Sequence, residues 1–313
     1  MATNWTGIFA LSRFYQSPEV PIKQDSLSKY GGENMSQNNP ITISSWSLGD
    51  QCSLEERIKA AKSAGFEGIG LRAENYVDAL DAGLSDADML ALLQKYGMRV
   101  TEIEYITEWA EVTRTYEQKY KEQICFHMCD LFGVKHINCG LMETYPLERS
   151  AQKLRELCQR AGNRIIAVEP MPYSGLPDVQ KAWAVIERAR CKNAGLLLDF
   201  WHWVRAGLPY TEDILNGIPA EKITSIQLND VRPCPYAHSV LRDESMHDRM
   251  KPGTGAGNTA KFLAMLRQKG VSPAVVAVEV ISDEALAQGV IPAAQEDYLA
   301  TKSILEQAWP ELL

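Results

Sequence analysis

The chain has 313 residues, 45% of them hydrophobic and 23% charged, with a formal net charge of −8. That length admits one large barrel or two smaller domains, and the composition is ordinary for a globular chain. The acidic balance offers no basic field to nucleic acid or anionic membranes, and no apolar stretch approaches the roughly 20 residues of a membrane span. Cys52, Cys125, Cys129, Cys139, Cys158, Cys191 and Cys234 form no CxxC pair. An odd number in a large apolar chain implies reduced thiols and a cytoplasmic location.

Residues 1–40 read as an irregular extension, with scattered apolar residues, turn formers and no sustained period. They lack the charged start, apolar core and small-residue cleavage site of a signal peptide. Met35 follows Gly31-Gly32-Glu33-Asn34, whose codons can spell a purine-rich ribosome-binding site. Two readings stand: Met35 is the natural start, or the segment is a disordered or packing arm.

From residue 41 onward apolar runs alternate with amphipathic stretches, as in a βα array. Strands are predicted at 41–46, 66–72, 99–106, 134–140, 164–170, 195–200, 223–230 and 275–280. Eight is the number a closed (β/α)8 TIM barrel requires. Helices are predicted from the capping box of Ser53 and Glu56 to Gly65, and from Asp86 to Gly97. Others are expected at 116–132, 147–161, 178–190, 257–269 and 291–308, with a shorter one near 211–215. Without a Gly-, Pro- or Ser-rich linker in 41–313, a single domain is expected there. The longest irregular stretch, 231–257, separates strands seven and eight, where long loops build or cover active sites.

Four of the apolar runs become polar at their carboxyl ends, at Glu169, Asp199, Gln227 and Glu279. That end of a parallel barrel is where chemistry is placed. Alternation puts Ala167, Leu197, Ser225 and Ala277 on the same strand faces, one layer beneath. Converging carboxylates repel unless a cation joins them, so a divalent metal is expected. An all-oxygen set suits Mn²⁺ first, with Mg²⁺ or Co²⁺ as alternatives and zinc still open. Taken singly, each acidic strand end reads equally well as a loop cap or surface charge.

The motifs E-P at 169–170, D-x-x-H at 199–202, Q-L-x-D at 227–230 and R-x-x-P-G-x-G at 249–255, with Glu279, carry a resemblance across residues 41–310. The chain resembles the xylose isomerase-like barrel superfamily of sugar epimerases, isomerases and related dehydratases. The resemblance implies one divalent metal on Glu169, Asp199, Gln227 and Glu279, with His202 and Arg249 on substrate oxygens. Sugar epimerases of this group usually carry His where Gln227 stands, and glutamine there is similar to the dehydratase branch.

Such a site stabilises an enediolate formed when an α proton leaves. With Glu169 and Glu279 as acid and base, the expected activity is isomerisation or epimerisation of a ketose or oxidised polyol. Expulsion of a β-hydroxyl would make the same site a lyase: a dehydratase of 3-dehydroshikimate or inosose type, or an oxidised-glycoside cleaver with a partner subunit. Abasic-site DNA cleavage, known on this barrel, needs several metals and many histidines, and this chain has five His. A non-catalytic barrel is the remaining alternative.

Weaker candidates have two readings each. His202 lies between two tryptophans and is either functional or structural. Arg249 either binds substrate or braces a turn. Trp46 is either an apolar pocket wall or barrel packing. Asp230 either holds Arg249 or supports the site from behind. Glu102 or Glu104 could face the mouth, and Arg72 and Glu74 could line it. His127 and His136 are expected to be structural, and His238 and His247 lie in the long loop. The Gly253-x-Gly255-x-Gly257 run is no dinucleotide fingerprint, since no long strand leads into it. The implied partner is a small carbohydrate or polyol-derived molecule, and pairing into a homo-oligomer fits a barrel of this kind.

Overall fold

Eight parallel strands close into a barrel in simple chain order in the computed structural model, which describes residues 40–313. They are β1 (Ile41–Ile43), β2 (Gly68–Arg72), β3 (Arg99–Ile106), β4 (His136–Cys139), β5 (Ile165–Val168), β6 (Ala194–Asp199), β7 (Ile223–Leu228) and β8 (Val275–Val278). The eight runs identified by hydrophobicity are these eight strands, so the fold is a TIM barrel. The questions about residues 1–39, Met35 included, lie outside the described residues.

The helices are α1 (Leu54–Ala64), α2 (Ala73–Asp81), α3 (Asp86–Tyr96), α4 (Tyr116–Phe132), α5 (Leu147–Ala161) and α6 (Val179–Ala189). They continue with α7 (Phe200–Arg205), α8 (Leu241–His247), α9 (Thr259–Gln268), α10 (Asp283–Leu286) and α11 (Val290–Ala308). Local chemistry explains most boundaries. Ser53 and Glu56 form the expected reciprocal capping box, with Ser53 Oγ accepting from Glu56 N at 3.3 Å. Such a cap contributes about 1 kcal/mol. Gly65 ends α1 at φ 109°, and a Cβ there would also lie 2.8 Å from the Tyr298 ring. Left-handed backbone and close packing both demand glycine at that position.

Four helices escape the periodicity reading: α2, α7, α8 and α10. Both α2 and α7 follow their strands with no intervening loop. The backbone N–H of Arg72 donates to Asn75 Oδ1 at 3.0 Å as α2 begins. Asp199 Oδ1 accepts from His202 N at 2.9 Å, making the last residue of β6 the cap of α7. Phe200, expected to end a strand, is therefore the first residue of a helix. The helix expected near 211–215 is a 3-10 turn, Glu212–Leu215. Among the described residues no helix is long and apolar enough to cross a membrane.

Ala167, Leu197, Ser225 and Ala277 are fully buried inside the barrel, as alternation requires. The interior is otherwise unusually polar, with Thr42, Glu102, His136 and Asn138 all buried. His136 finds no hydrogen-bond partner at either ring nitrogen, and burial pushes its pKa down to about 4. It is the neutral core histidine expected for strand four.

Burial also perturbs a carboxyl far from the mouth. Asp297 of α11 is 1% exposed, its Oδ1 has no partner, and burial raises its pKa to about 8. An acid whose pKa is higher folded than unfolded stabilises the fold fully below its unfolded value, near 3.9, and loses that contribution as pH rises through 8. Asp297→Asn is expected to match the wild type near pH 4. It should exceed wild-type stability at pH 8 by on the order of a few kcal/mol. Urea unfolding at both pH values checks this, and a parallel pH slope in the variant would refute it.

Candidate functional site

The four polar strand ends converge. Asp199 is the last residue of β6 and pairs in register with Gln227 of β7. Glu169 and Glu279 lie one residue past their strands, yet the ladder still holds them. Glu169 N donates to Cys139 O at 2.8 Å, and Glu279 N to Leu228 O at 3.0 Å. Rigid backbone thus delivers all four side chains. Glu169, Asp199 and Glu279 are each at most 5% exposed and offer carboxylate oxygens within 4.8 Å of one another.

Charge is the dominant feature of this cluster. Arg249 Nη1 lies 2.9 Å from Asp199 Oδ2 and 3.0 Å from Glu279 Oε2. Its Nε and Nη2 donate to Ser245 O and Oγ at 2.7 and 2.9 Å, so all three guanidinium nitrogens are engaged. Three carboxylates thus surround one guanidinium, which pairs with two of them, so full ionisation leaves two negative charges for another cation. Burial drives the Glu279 carboxyl well above its ordinary pKa, Arg249 opposes this, and Glu104, Glu169 and Asp199 push it further up.

Gln227 completes the donor set. Its Nε2 donates to Glu104 Oε1 at 3.2 Å and Glu279 Oε1 at 3.1 Å, while its Oε1 has no partner. A buried amide oxygen without a partner is costly. An unpartnered oxygen beside three carboxylates fits a hard divalent cation.

His202 and Arg249 are brought to the cluster. His202 Nε2 lies 3.3 Å from Glu169 Oε1, with its ring edge-on to Tyr173 and Trp201. Trp46 sits on a 3-10 turn, Ser45–Leu48, beyond β1, and the Arg72 guanidinium covers its ring at 3.9 Å. Arg72 pairs with Asp50 at 2.6 Å, and Glu74 turns away to Lys121 at 2.7 Å. His127 pairs with Asp86 at 2.9 Å and His247 with Asp283 at 3.1 Å.

Asp230 does not hold Arg249. Its carboxylate accepts from Val231 N, Gly257 N and Thr259 Oγ1 at 2.8, 2.9 and 3.1 Å. A Cβ at Gly255 would lie 2.4 Å from Val231 O, and one at Gly257 would lie 2.7 Å from Asp230 Oδ1. Both glycines permit close packing around Asp230.

Several partners were not identified from sequence. Tyr105 donates its hydroxyl to Glu169 Oε2 at 2.7 Å. Ser44 Oγ lies 3.0 Å from Glu279 Oε1 and 3.2 Å from Glu104 Oε2. Asn229 Nδ2 donates to Asp199 Oδ2 at 2.7 Å. Asn229 was within reach of alternation, standing two residues after Gln227. Nothing local singles out Tyr105 or Ser44. Glu102 and Glu104 are both buried inside the barrel, joined by Asn138 Nδ2 at 2.7 and 3.0 Å. Burial and the Glu104 charge raise Glu102 well above its ordinary pKa, and burial raises Glu104 to about 7.

The chain is 26% identical over 226 residues to a 3-dehydroshikimate dehydratase of Pseudomonas aeruginosa, covering 69% of this chain and 34% of that protein. It is 33% identical over 95 residues to an inosose isomerase of Halalkalibacterium halodurans, covering 30% of this chain and 31% of that protein. The matched segments thus span about a third of each curated relative's length. A zinc-bound IolI protein superposes with a TM-score of 0.75 at 20% identity, covering 87% of this chain and 99% of that one. A D-allulose 3-epimerase from Methylomonas sp. gives 0.61 at 15% identity, covering 86% and 97%. These structures share the fold. The sequence profile of the xylose isomerase-like TIM barrel family matches residues 58–303, most of the chain, and the protein belongs to that family.

Proposed function

We propose that the protein is a divalent-metal-dependent isomerase or epimerase of a ketose or oxidised polyol, acting in the cytoplasm. The observation that carries this is the charge balance: three buried carboxylates, one engaged guanidinium and an unpartnered glutamine oxygen in one cluster. Glu169, Asp199, Gln227 and Glu279 would hold the ion. Their all-oxygen chemistry favours Mn²⁺, then Mg²⁺ or Co²⁺. The zinc of the IolI protein makes zinc the fourth ion to test. When bound, the ion supplies Lewis acidity toward a carbonyl and its neighbouring hydroxyl.

The chain's own residues supply the proton chemistry. One of Glu169 and Glu279 takes the α proton of the substrate and the other returns one, a transfer contributing about 10²–10⁴-fold. Tyr105 holds Glu169 through Oε2, leaving Oε1 toward His202. His202 orients a substrate hydroxyl, and Arg249 keeps Asp199 and Glu279 in place while meeting a substrate oxygen. Burial keeps competing water away.

A dehydratase is the second reading, favoured by Gln227 and by the similarity to 3-dehydroshikimate dehydratase. There the same proton abstraction is followed by departure of a β-hydroxyl as water. Proton NMR in D₂O with Mn²⁺-loaded protein and a panel of ketoses, inososes and dehydroshikimate separates the two. Exchange at the α carbon with altered configuration and unchanged composition supports the isomerase, while loss of water supports the lyase. Neither result with any panel member, in protein that carries no metal, would overturn both.

A further inference from the structure

Gln227 differs from the carboxylates around it in one respect: only one end of its side chain can face a cation. A carboxylate presents oxygen either way round, whereas a carboxamide turned by 180° presents N–H. Something must select the orientation, and the selection comes from the far side of the barrel. β3 and β7 stand four strands apart in the eight-stranded ring, directly opposite each other. Glu104 of β3 nevertheless reaches the Gln227 amide, its Oε1 lying 3.2 Å from Nε2.

Glu104 is itself held on two sides. Asn138 Nδ2 donates to its Oε1 at 3.0 Å, and Ser44 Oγ lies 3.2 Å from its Oε2. Ser44 also reaches Glu279 Oε1 at 3.0 Å, the oxygen that accepts the other Gln227 N–H. Both amide hydrogens therefore meet acceptors, and Oε1 is left buried without a partner. Turning the amide over would set its oxygen against two carboxylate oxygens and aim N–H groups at the cation.

We propose that Glu104 is a positioning residue of the cation site, fixing the Gln227 carboxamide so that its oxygen faces the ion. This role rests on the metal-dependent reading above. The argument concerns an acceptor at that place rather than a charge, which makes it separable. Glutamine at position 104 keeps an oxygen for Gln227 and Asn138 but loses the charge. Methionine keeps the length and loses the acceptor.

Metal-stripped protein titrated with Mn²⁺ alone, followed calorimetrically, reads the effect without any substrate. Glu104→Met is expected to weaken Mn²⁺ binding by about 10–100-fold, the range for partners that orient a ligand. Glu104→Gln should stay within about threefold of wild type, as should Glu102→Gln, which leaves Gln227 untouched. Equal affinity of Glu104→Met and wild type would overturn the role. So would an equal loss in Glu104→Gln, which would assign the effect to charge, or in Glu102→Gln, which would assign it to general disturbance of the interior. If Glu104→Met fails to fold, Glu104→Leu, which likewise offers Gln227 no acceptor, takes its place with the same limits. A wild type that takes up none of Mn²⁺, Mg²⁺, Co²⁺ and Zn²⁺ would remove the cation site itself and this role with it. Wild-type binding with an indifferent Glu104→Met would remove only the role.

Discussion

A Glu169→Gln, Glu279→Gln double variant is expected to take up no divalent metal, where the wild type retains about one ion per chain. Arg249 already balances one of the three carboxylates, so removing two of them leaves no net negative charge at the site. Turnover should fall by at least about 10⁴-fold, because both proton-transfer groups and the ion are lost together. Stability without metal should move the other way. Each substitution replaces a buried ionisable carboxyl with a neutral amide, and burial holds Glu279 well above its ordinary pKa. The metal-free variant is therefore expected to melt above the metal-free wild type, as in sites that trade stability for function. Elemental analysis and paired melts on chelator-treated protein check both halves. Unchanged metal content would refute the ligand assignment, and a lower melting temperature would mark these glutamates as structural.

Arg249→Met should be the most damaging substitution outside the carboxylates. The guanidinium is 2% exposed at its side chain and sits between Asp199 and Glu279. Removing it strands both carboxylates without replacing their hydrogen bonds. Breaking a buried pair in this way costs about 3–5 kcal/mol. Mn²⁺ should offset part of that loss, since a ligand at a hundred times its Kd contributes about 2.7 kcal/mol. Arg249→Lys should lie between the two, keeping the charge but not the fork that also engages Ser245. Urea unfolding with and without Mn²⁺ measures each quantity. A loss below about 1 kcal/mol in Arg249→Met would show that protons, rather than Arg249, neutralise the carboxylates.

The barrel was legible because its signals are local. Each strand is a short apolar run, and the helices 116–132 and 147–161 coincide end to end with α4 and α5. Four ligand candidates followed from where those runs turn polar, and alternation placed Ala167, Leu197, Ser225 and Ala277 beneath them. The misplaced boundary at Phe200 has a physical source. Asp199 closes a strand and caps a helix at the same residue, so no turn residues mark the junction. Of the two readings open for Asp230, the structure removes the pairing with Arg249. Its position after the strand resembles that of a partner for Arg249, but its three hydrogen bonds bind the glycine turn.

By itself, the sequence determined the strands, their inward faces and the identity of four of the converging polar residues, because a period of two is written within each strand. Only the tertiary structure decided which of those residues meet. Glu104 touches Gln227, Tyr105 touches Glu169 and Arg249 bridges Asp199 and Glu279, across separations of 123, 64, 50 and 30 residues. Alternation says that a side chain points inward. Strand tilt and stagger around a closed ring decide what it finds across the axis.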